Sequence, residues 1–179
     1  MLHEETLSSE RVYSGKIINV RVDTVLLPDG RTGTREVVEY AGAVAVVALT
    51  DDKEVVMVRQ YRHPVGKVLV EIPAGKIEET EDPETSARRE LIEEAGIRAR
   101  SWRCLGRFYS TPGFTSEMMH LYLVRDLSFH QQETDEDEFV EVVRIPFPKA
   151  LEMVYKGEIC DAKSICGLLW SSKVLEQRG

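Results

Sequence analysis

The chain has 179 residues, 42% of them hydrophobic and 30% charged, with a formal net charge of -8. That length and apolar content suit one globular domain, or one domain with a small appendage. The acidic balance excludes a general nucleic-acid binder, which needs a basic face for phosphates, but leaves room for a small anionic substrate carried with divalent cations.

The first ten residues, MLHEETLSSE, are polar and acidic and do not form a signal peptide. Residues 11–40 read as short strands: 20–27 alternate in part, Pro28-Asp29-Gly30 marks a turn, and 34–40 return. This stretch is too poor in apolar residues to make a core alone. Residues 1–40 are therefore expected to form a small β region that packs on the rest of the chain or on a second copy, with residues 41–179 as the main domain. Residues 43–49 are continuously apolar, hence a buried strand, and far too short to span a bilayer. A turn at Asp51-Asp52-Lys53 leads to a strand over 54–60, the hairpin partner of the first. Another strand covers 68–72 and ends at Pro73-Ala74-Gly75, where Gly75 lets the chain turn tightly. A helix then runs from Pro83 to Ala95, with Asp82 as its cap and Gly96 just past its end. Strands follow at 105–110, 119–124 and 141–145, with an acidic loop over 131–138, and helices near 148–156 and 162–176 close the chain. Strands and helices mix without strict alternation, which favours α+β with a mixed sheet between helices. Cys104, Cys160 and Cys166 form no C-x-x-C pair, so reduced thiols and a cytoplasmic setting are expected, with no membrane partner.

The helix PETSARRELIEEA is electrostatically odd. Glu90, Glu93 and Glu94 share one face, and each like-charge pair at this spacing costs about 0.2–0.5 kcal/mol. Glu93 and Glu94 also sit in the last turn, where the helix dipole disfavours each anion by roughly 0.3–1 kcal/mol. Arg88 and Arg89 leave Glu90 and Glu94 unmatched. Hard oxygen ligands on a rigid helix suit magnesium or manganese.

The spacing around that helix is specific. Gly75, five residues, Glu81, seven residues, Arg89-Glu90-Leu91, one residue, Glu93-Glu94, one residue and Gly96-Ile97 match every fixed position of the Nudix box. From average residue usage, a chance match is on the order of 10⁻¹⁰ to 10⁻⁹ per start position. The chain thus resembles the Nudix hydrolases, whose fold is an α/β/α sandwich around a mixed sheet. The resemblance implies hydrolysis of a nucleoside diphosphate linked to another group, with Mg²⁺ (or Mn²⁺) as cofactor. It implies that Glu90, Glu93 and Glu94 bind metal, joined by the carbonyl of Ala74, and that Arg89 orients the carboxylates with Glu81. Leu91 and Ile97 are structural.

Other segments resemble the ADP-ribose pyrophosphatase subgroup. Pro112 stands sixteen residues after Gly96 in YSTPGFTSE, which offers Gly113 and Glu117 as substrate contacts. VRQYR offers Arg62, or else Arg59, to phosphate or ribose, and Glu71 and Pro73 fit the same pattern. Arg35 and Glu36 resemble residues that reach adenosine or ribose across a homodimer whose N-terminal strands are exchanged. Tyr13, Tyr109 and Phe114 are candidate adenine stackers. The implied reaction is attack by water on one phosphorus of ADP-ribose, with two or three metal ions, giving AMP and ribose 5-phosphate. A general base is expected from the acidic loop: Glu136 first, then Glu138 and Glu133, with Glu93 of the box as the alternative. The competing readings are a Nudix hydrolase for another nucleoside diphosphate sugar or a dinucleotide, and a catalytically silent nucleotide-binding module. The second is disfavoured because every box carboxylate is kept.

Overall fold

A computed structural model describes residues 2–134 and 138–177. The chain divides into two compact units, residues 1–42 with 109–118, and residues 43–108 with 119–179. Residues 109–118, grouped above with the main domain, thus belong to the smaller unit.

The smaller unit is an antiparallel sheet in the order β1 (Glu5–Ser14), β2 (Asn19–Leu26) and β3 (Thr32–Glu39). The turn between β2 and β3 falls where Pro28-Asp29-Gly30 placed it; Gly30 adopts a φ of 85° and its N–H donates to the Leu27 carbonyl at 2.9 Å. The first part of β1, residues 5–10, was not expected to be a strand, because it has no apolar alternation to reveal it. All ten residues of β1 are exposed, and its ladder with β2 holds it in place. The segment 109–118 is tied to β3 by the Val38 N–H, which donates to the Phe114 carbonyl at 2.7 Å.

The larger unit is built on β4 (Ala43–Leu49), whose seven residues are all buried. Its neighbours are β5 (Glu54–Arg62), β6 (Lys67–Glu71), β7 (Ala74–Lys76), β8 (Ile97–Tyr109), β9 (Met118–Phe129) and β10 (Val140–Pro146). The main path runs β10-β5-β4-β9-β8, with β6 on β5 and β7 on β4. β4 is parallel to β9 and antiparallel to β5 and β7, so the sheet is mixed. Successive residues of β4 face opposite sides. Val44, Val46 and Ala48 join Ala87, Leu91 and Ala95 of α1 (Pro83–Ala95) in one core. On the other side Val47 meets Gly167 of α3 (Ala162–Glu176), where an added Cβ would lie 2.9 Å from its side chain. A buried strand covered on both faces reads as a continuous apolar run, which is why β4 was legible. The result is the expected α+β architecture, a mixed sheet between helices, with α2 (Phe147–Tyr155) packed at the end of β10.

β8 and β9 are longer than predicted. Arg98, Arg100 and Arg103 interrupt the apolar pattern of β8 because they point outward, while Ile97, Ala99 and Trp102 face the α1 core. Trp102 packs edge-on against Tyr122 at 5.9 Å and lies under the Arg88 guanidinium at 4.2 Å, so it is a half-buried staple of that core. Trp170 remains 40% exposed beside Gly106.

Candidate active site

α1 begins and ends as its sequence dictates. Asp82 accepts from the N–H groups of Glu84 and Thr85, Pro83 occupies the first turn, and Gly96 closes the helix at a φ of 62°. Leu91 and Ala87 bury one face fully. With the helix clamped by its ends and its apolar face, the opposite face holds Glu90, Glu93 and Glu94 against β7.

Gly75 does a different job from the tight turn expected of it. It lies within β7, paired with Val44, and the Glu90 carboxyl occupies the space beside it. A Cβ at position 75 would lie 1.9 Å from the Glu90 carboxyl carbon. Only glycine permits that approach. Gly75→Ala is expected to displace Glu90 by about 1 Å and lower turnover on the order of 100-fold, with the melting temperature shifted by only a few degrees. Steady-state kinetics and circular dichroism together check this, and unchanged turnover rules the cradle out.

Arg89 organises the acidic face. Its Nη1 donates to Glu90 and to Glu93, each at 2.8 Å, its Nη2 to Glu81 and the Lys76 carbonyl, each at 3.1 Å, and its Nε to Glu81 at 3.2 Å. Burial works against the charge on Arg89, but Glu81, Glu90 and Glu93 together hold its pKa above the ordinary arginine value. Glu94 lies deeper, 4% exposed, and accepts the Ala74 N–H at 2.8 Å. Burial pushes its carboxyl up to about 7, against the pull of that N–H and of Arg62. Burial likewise pushes Glu90 up to about 6, with Arg89 opposing. Burial thus makes two carboxyls of the α1 face resist ionisation, which is the state expected of a cation site.

The residues fit a divalent ion. Every donor is a hard carboxylate oxygen, and Glu90 is accommodated in a cradle only glycine provides. Among the described residues no three Asp, Glu, His or Cys side chains are gathered closely enough to hold an ion as they stand. The reason is visible: Arg89 engages Glu90 and Glu93, and Ala74 engages Glu94. Ala74 thus enters the site through its N–H in this arrangement.

Lys76, Glu78, Glu79, Arg89, Glu90, Glu93 and Glu138 line a cleft of about 430 Å³. Of the loop carboxylates proposed as base, Glu138 lies in this cleft, and its charge acts on both Glu90 and Glu94. Glu133 approaches through its backbone, whose N–H donates to the Glu93 carbonyl at 3.2 Å. Glu136 lies outside the described residues. Lys76, Glu78 and Glu79 were not singled out from the sequence, although they fill the variable positions of the box after Gly75.

The expected substrate contacts are distributed over both units. In the larger one, Arg62 donates to Glu71 through Nη2 at 2.6 Å and Nε at 3.0 Å, and Arg59 pairs with Glu141 at 2.9 Å. Arg62 lies close enough to Glu94 for the two charges to stabilise each other. In the smaller unit, Arg35 is bound by Glu4 beside exposed Glu36, and Glu117 accepts from the Ser110 hydroxyl, with Gly113 in the intervening loop. Tyr13, Tyr109 and Phe114 are each more than half exposed. No helix among the described residues is long and apolar enough to cross a membrane.

Comparison with known proteins agrees with this geometry. Residues 39–166 match the NUDIX domain, and residues 4–38 match the nucleoside diphosphate sugar hydrolase N-terminal domain. The chain is 45% identical over 165 residues to the ADP-ribose pyrophosphatase of Bacillus subtilis (strain 168), spanning 91% of this chain and 89% of that protein. It is 42% identical to the methanol dehydrogenase activator of Bacillus methanolicus, over 92% and 90% of the two chains. A solved structure described as an ADP compounds hydrolase shares the fold with a TM-score of 0.88 at 23% identity, covering 98% of this chain and 96% of that one. With a capped helix carrying the box carboxylates over Gly75, and a domain match spanning most of its length, this chain belongs to the Nudix hydrolase family.

Proposed function

We propose that the protein hydrolyses the pyrophosphate bond of ADP-ribose, giving AMP and ribose 5-phosphate. The observation that carries the chemistry is the set of Glu90, Glu93 and Glu94 on the α1 face beside Gly75. The substrate choice is supported by the likeness to the ADP-ribose pyrophosphatase of Bacillus subtilis, which extends through the N-terminal segment.

In this reading Glu90, Glu93 and Glu94, with the carbonyl of Ala74, would hold two or three Mg²⁺ ions, or Mn²⁺. Such ions would neutralise the phosphates, lower the pKa of the attacking water and stabilise the leaving phosphate. The remaining work falls to the chain. Arg89 holds Glu90 and Glu93 beside each other, so both carboxylates stay at the cleft until an ion takes its place between them. Arg62, or else Arg59, binds a phosphate or the ribose. Glu138 takes the proton of the attacking water, a role Glu136, Glu133 or Glu93 fills if Glu138 does not. Arg35, Glu36, Gly113 and Glu117 recognise the adenosine and ribose, in a cytoplasmic homodimer formed through the N-terminal strands.

A panel of ADP-ribose, GDP-mannose and diadenosine polyphosphates, assayed with Mg²⁺, tests the substrate. The highest kcat/KM is expected for ADP-ribose, by about tenfold or more, since a site built to bond one group rejects analogues that leave its polar atoms unpaired. Equal or faster cleavage of the others contradicts the assignment to ADP-ribose and leaves the hydrolase class in place.

A further inference from the structure

Behind the cleft, α3 begins on a buried ion cluster that the roles above leave unexplained. Glu71 is 2% exposed and accepts from Arg62 and, at 2.9 Å, from Lys163 Nζ. Lys163 also donates to Asp161 Oδ1 at 2.9 Å, and the same oxygen caps α3 by accepting the Ser164 N–H at 3.1 Å. The Ser164 hydroxyl accepts the Ile72 N–H at 2.8 Å, and two residues later the Ala74 N–H reaches Glu94. The first turn of α3 is therefore tied at two points to the strand segment that enters the cleft.

The charges in this cluster have an order. A buried Glu71 paired with Arg62 alone would cancel the positive field of Arg62 before it reached a phosphate. Lys163 supplies the second cation. Lys163 bridges Glu71 and Asp161 at 2.9 Å each, and the positive end of α3, through the Ser164 N–H on Asp161 Oδ1, offsets part of the Asp161 charge. Burial alone would push Glu71 up, yet Arg62 and Lys163 together hold it below the ordinary carboxylate range, so Glu71 stays an anion. Arg62 uses Nε and Nη2 on that anion, which fixes the plane of its guanidinium.

We propose that Lys163 is a positioning residue for pyrophosphate recognition: it neutralises Glu71, leaving Arg62 fixed in orientation and available as a cation to a phosphate oxygen. This rests on the reading of Arg62 as a phosphate contact. It also assigns a function to a side chain far from the box in sequence.

The test is calorimetric titration of methylenediphosphonate, a non-hydrolysable pyrophosphate mimic, in the presence of Mg²⁺, beside Mn²⁺ titrated alone. Lys163→Met is expected to weaken diphosphonate about tenfold and to shift Mn²⁺ affinity less than about twofold, while Lys163→Arg restores binding to within about threefold. In a Glu71→Gln background, adding Lys163→Met should cost less than about twofold, because the anion it neutralises is gone. That pair carries the test even if Lys163→Met alone folds poorly. Lys163→Met binding diphosphonate as the wild type does, losing Mn²⁺ in parallel, or costing a full tenfold in the Glu71→Gln background overturns the inference. Arg62→Met separates the two claims: no effect there overturns the reading of Arg62 and the inference with it. A loss with Arg62→Met beside a silent Lys163→Met overturns the inference alone.

Discussion

Glu94→Gln is expected to lower Mg²⁺-dependent turnover by about 10³-fold or more while raising the melting temperature of the protein in chelator at pH 8. The two effects have one cause. Glu94 is 4% exposed, and burial holds its carboxyl at about 7, so at pH 8 its charge is an uncompensated cost to the fold. Glutamine keeps the shape, and its amide oxygen can still accept the Ala74 N–H that now bonds to Glu94 at 2.8 Å. It removes the charge that binds a cation, and a bound ion contributes several kcal/mol to stabilising developing charge. Side chains chosen for structure lose stability when replaced; this one should gain it. Kinetics with Mg²⁺ and calorimetric melting with chelator read both halves. A variant that is less stable and still active would remove Glu94 from the metal site.

The second large effect is the pH dependence of stability in the absence of metal. Glu90 and Glu94 have folded-state values raised to about 6 and about 7 by burial, above the unfolded carboxylate value. The folded protein therefore binds more protons than the unfolded chain through that window, and stability falls as pH rises through it. Below about pH 4.5 both states are protonated and the penalty is absent; above about 7 it is fully present. At roughly 1.4 kcal/mol per unit, the two groups together cost a few kcal/mol, or several degrees in a chain of this size. In chelator, the melting temperature should climb as pH is lowered from 8 to 5.5. Added Mg²⁺ should recover the loss at pH 8, because an ion that binds only the folded state stabilises it by mass action. A profile that is flat in chelator, or unmoved by Mg²⁺ at pH 8, contradicts the account of these two carboxyls.

What the sequence revealed depended on how local the physics is. α1 was legible to the residue, because Asp82, Pro83 and Gly96 act within one turn of where they stand. β4 was legible because both of its faces are covered. The first part of β1, residues 5–10, was hidden, since an exposed strand held by its ladder carries no period of its own. The same locality divides the site. Three carboxylates on one helix declare themselves through spacing alone. The need for glycine at position 75 depends on a contact with Glu90 across a strand–helix gap, so the sequence suggested a turn where the structure has a close approach. Lys163 lies 92 residues from Glu71, and no pattern in the chain joins them. Arg62 was visible as a candidate, yet its anchoring on Glu71 appears only when β5 and β6 pair.

The most direct measurement is the release of AMP from ADP-ribose by the wild-type protein, followed by chromatography with Mg²⁺ and then with excess chelator. The account predicts AMP and ribose 5-phosphate in equal amounts with Mg²⁺, and a fall in rate on the order of 10³-fold with chelator. Release that persists undiminished without divalent ions, or no AMP in the presence of Mg²⁺, would contradict it.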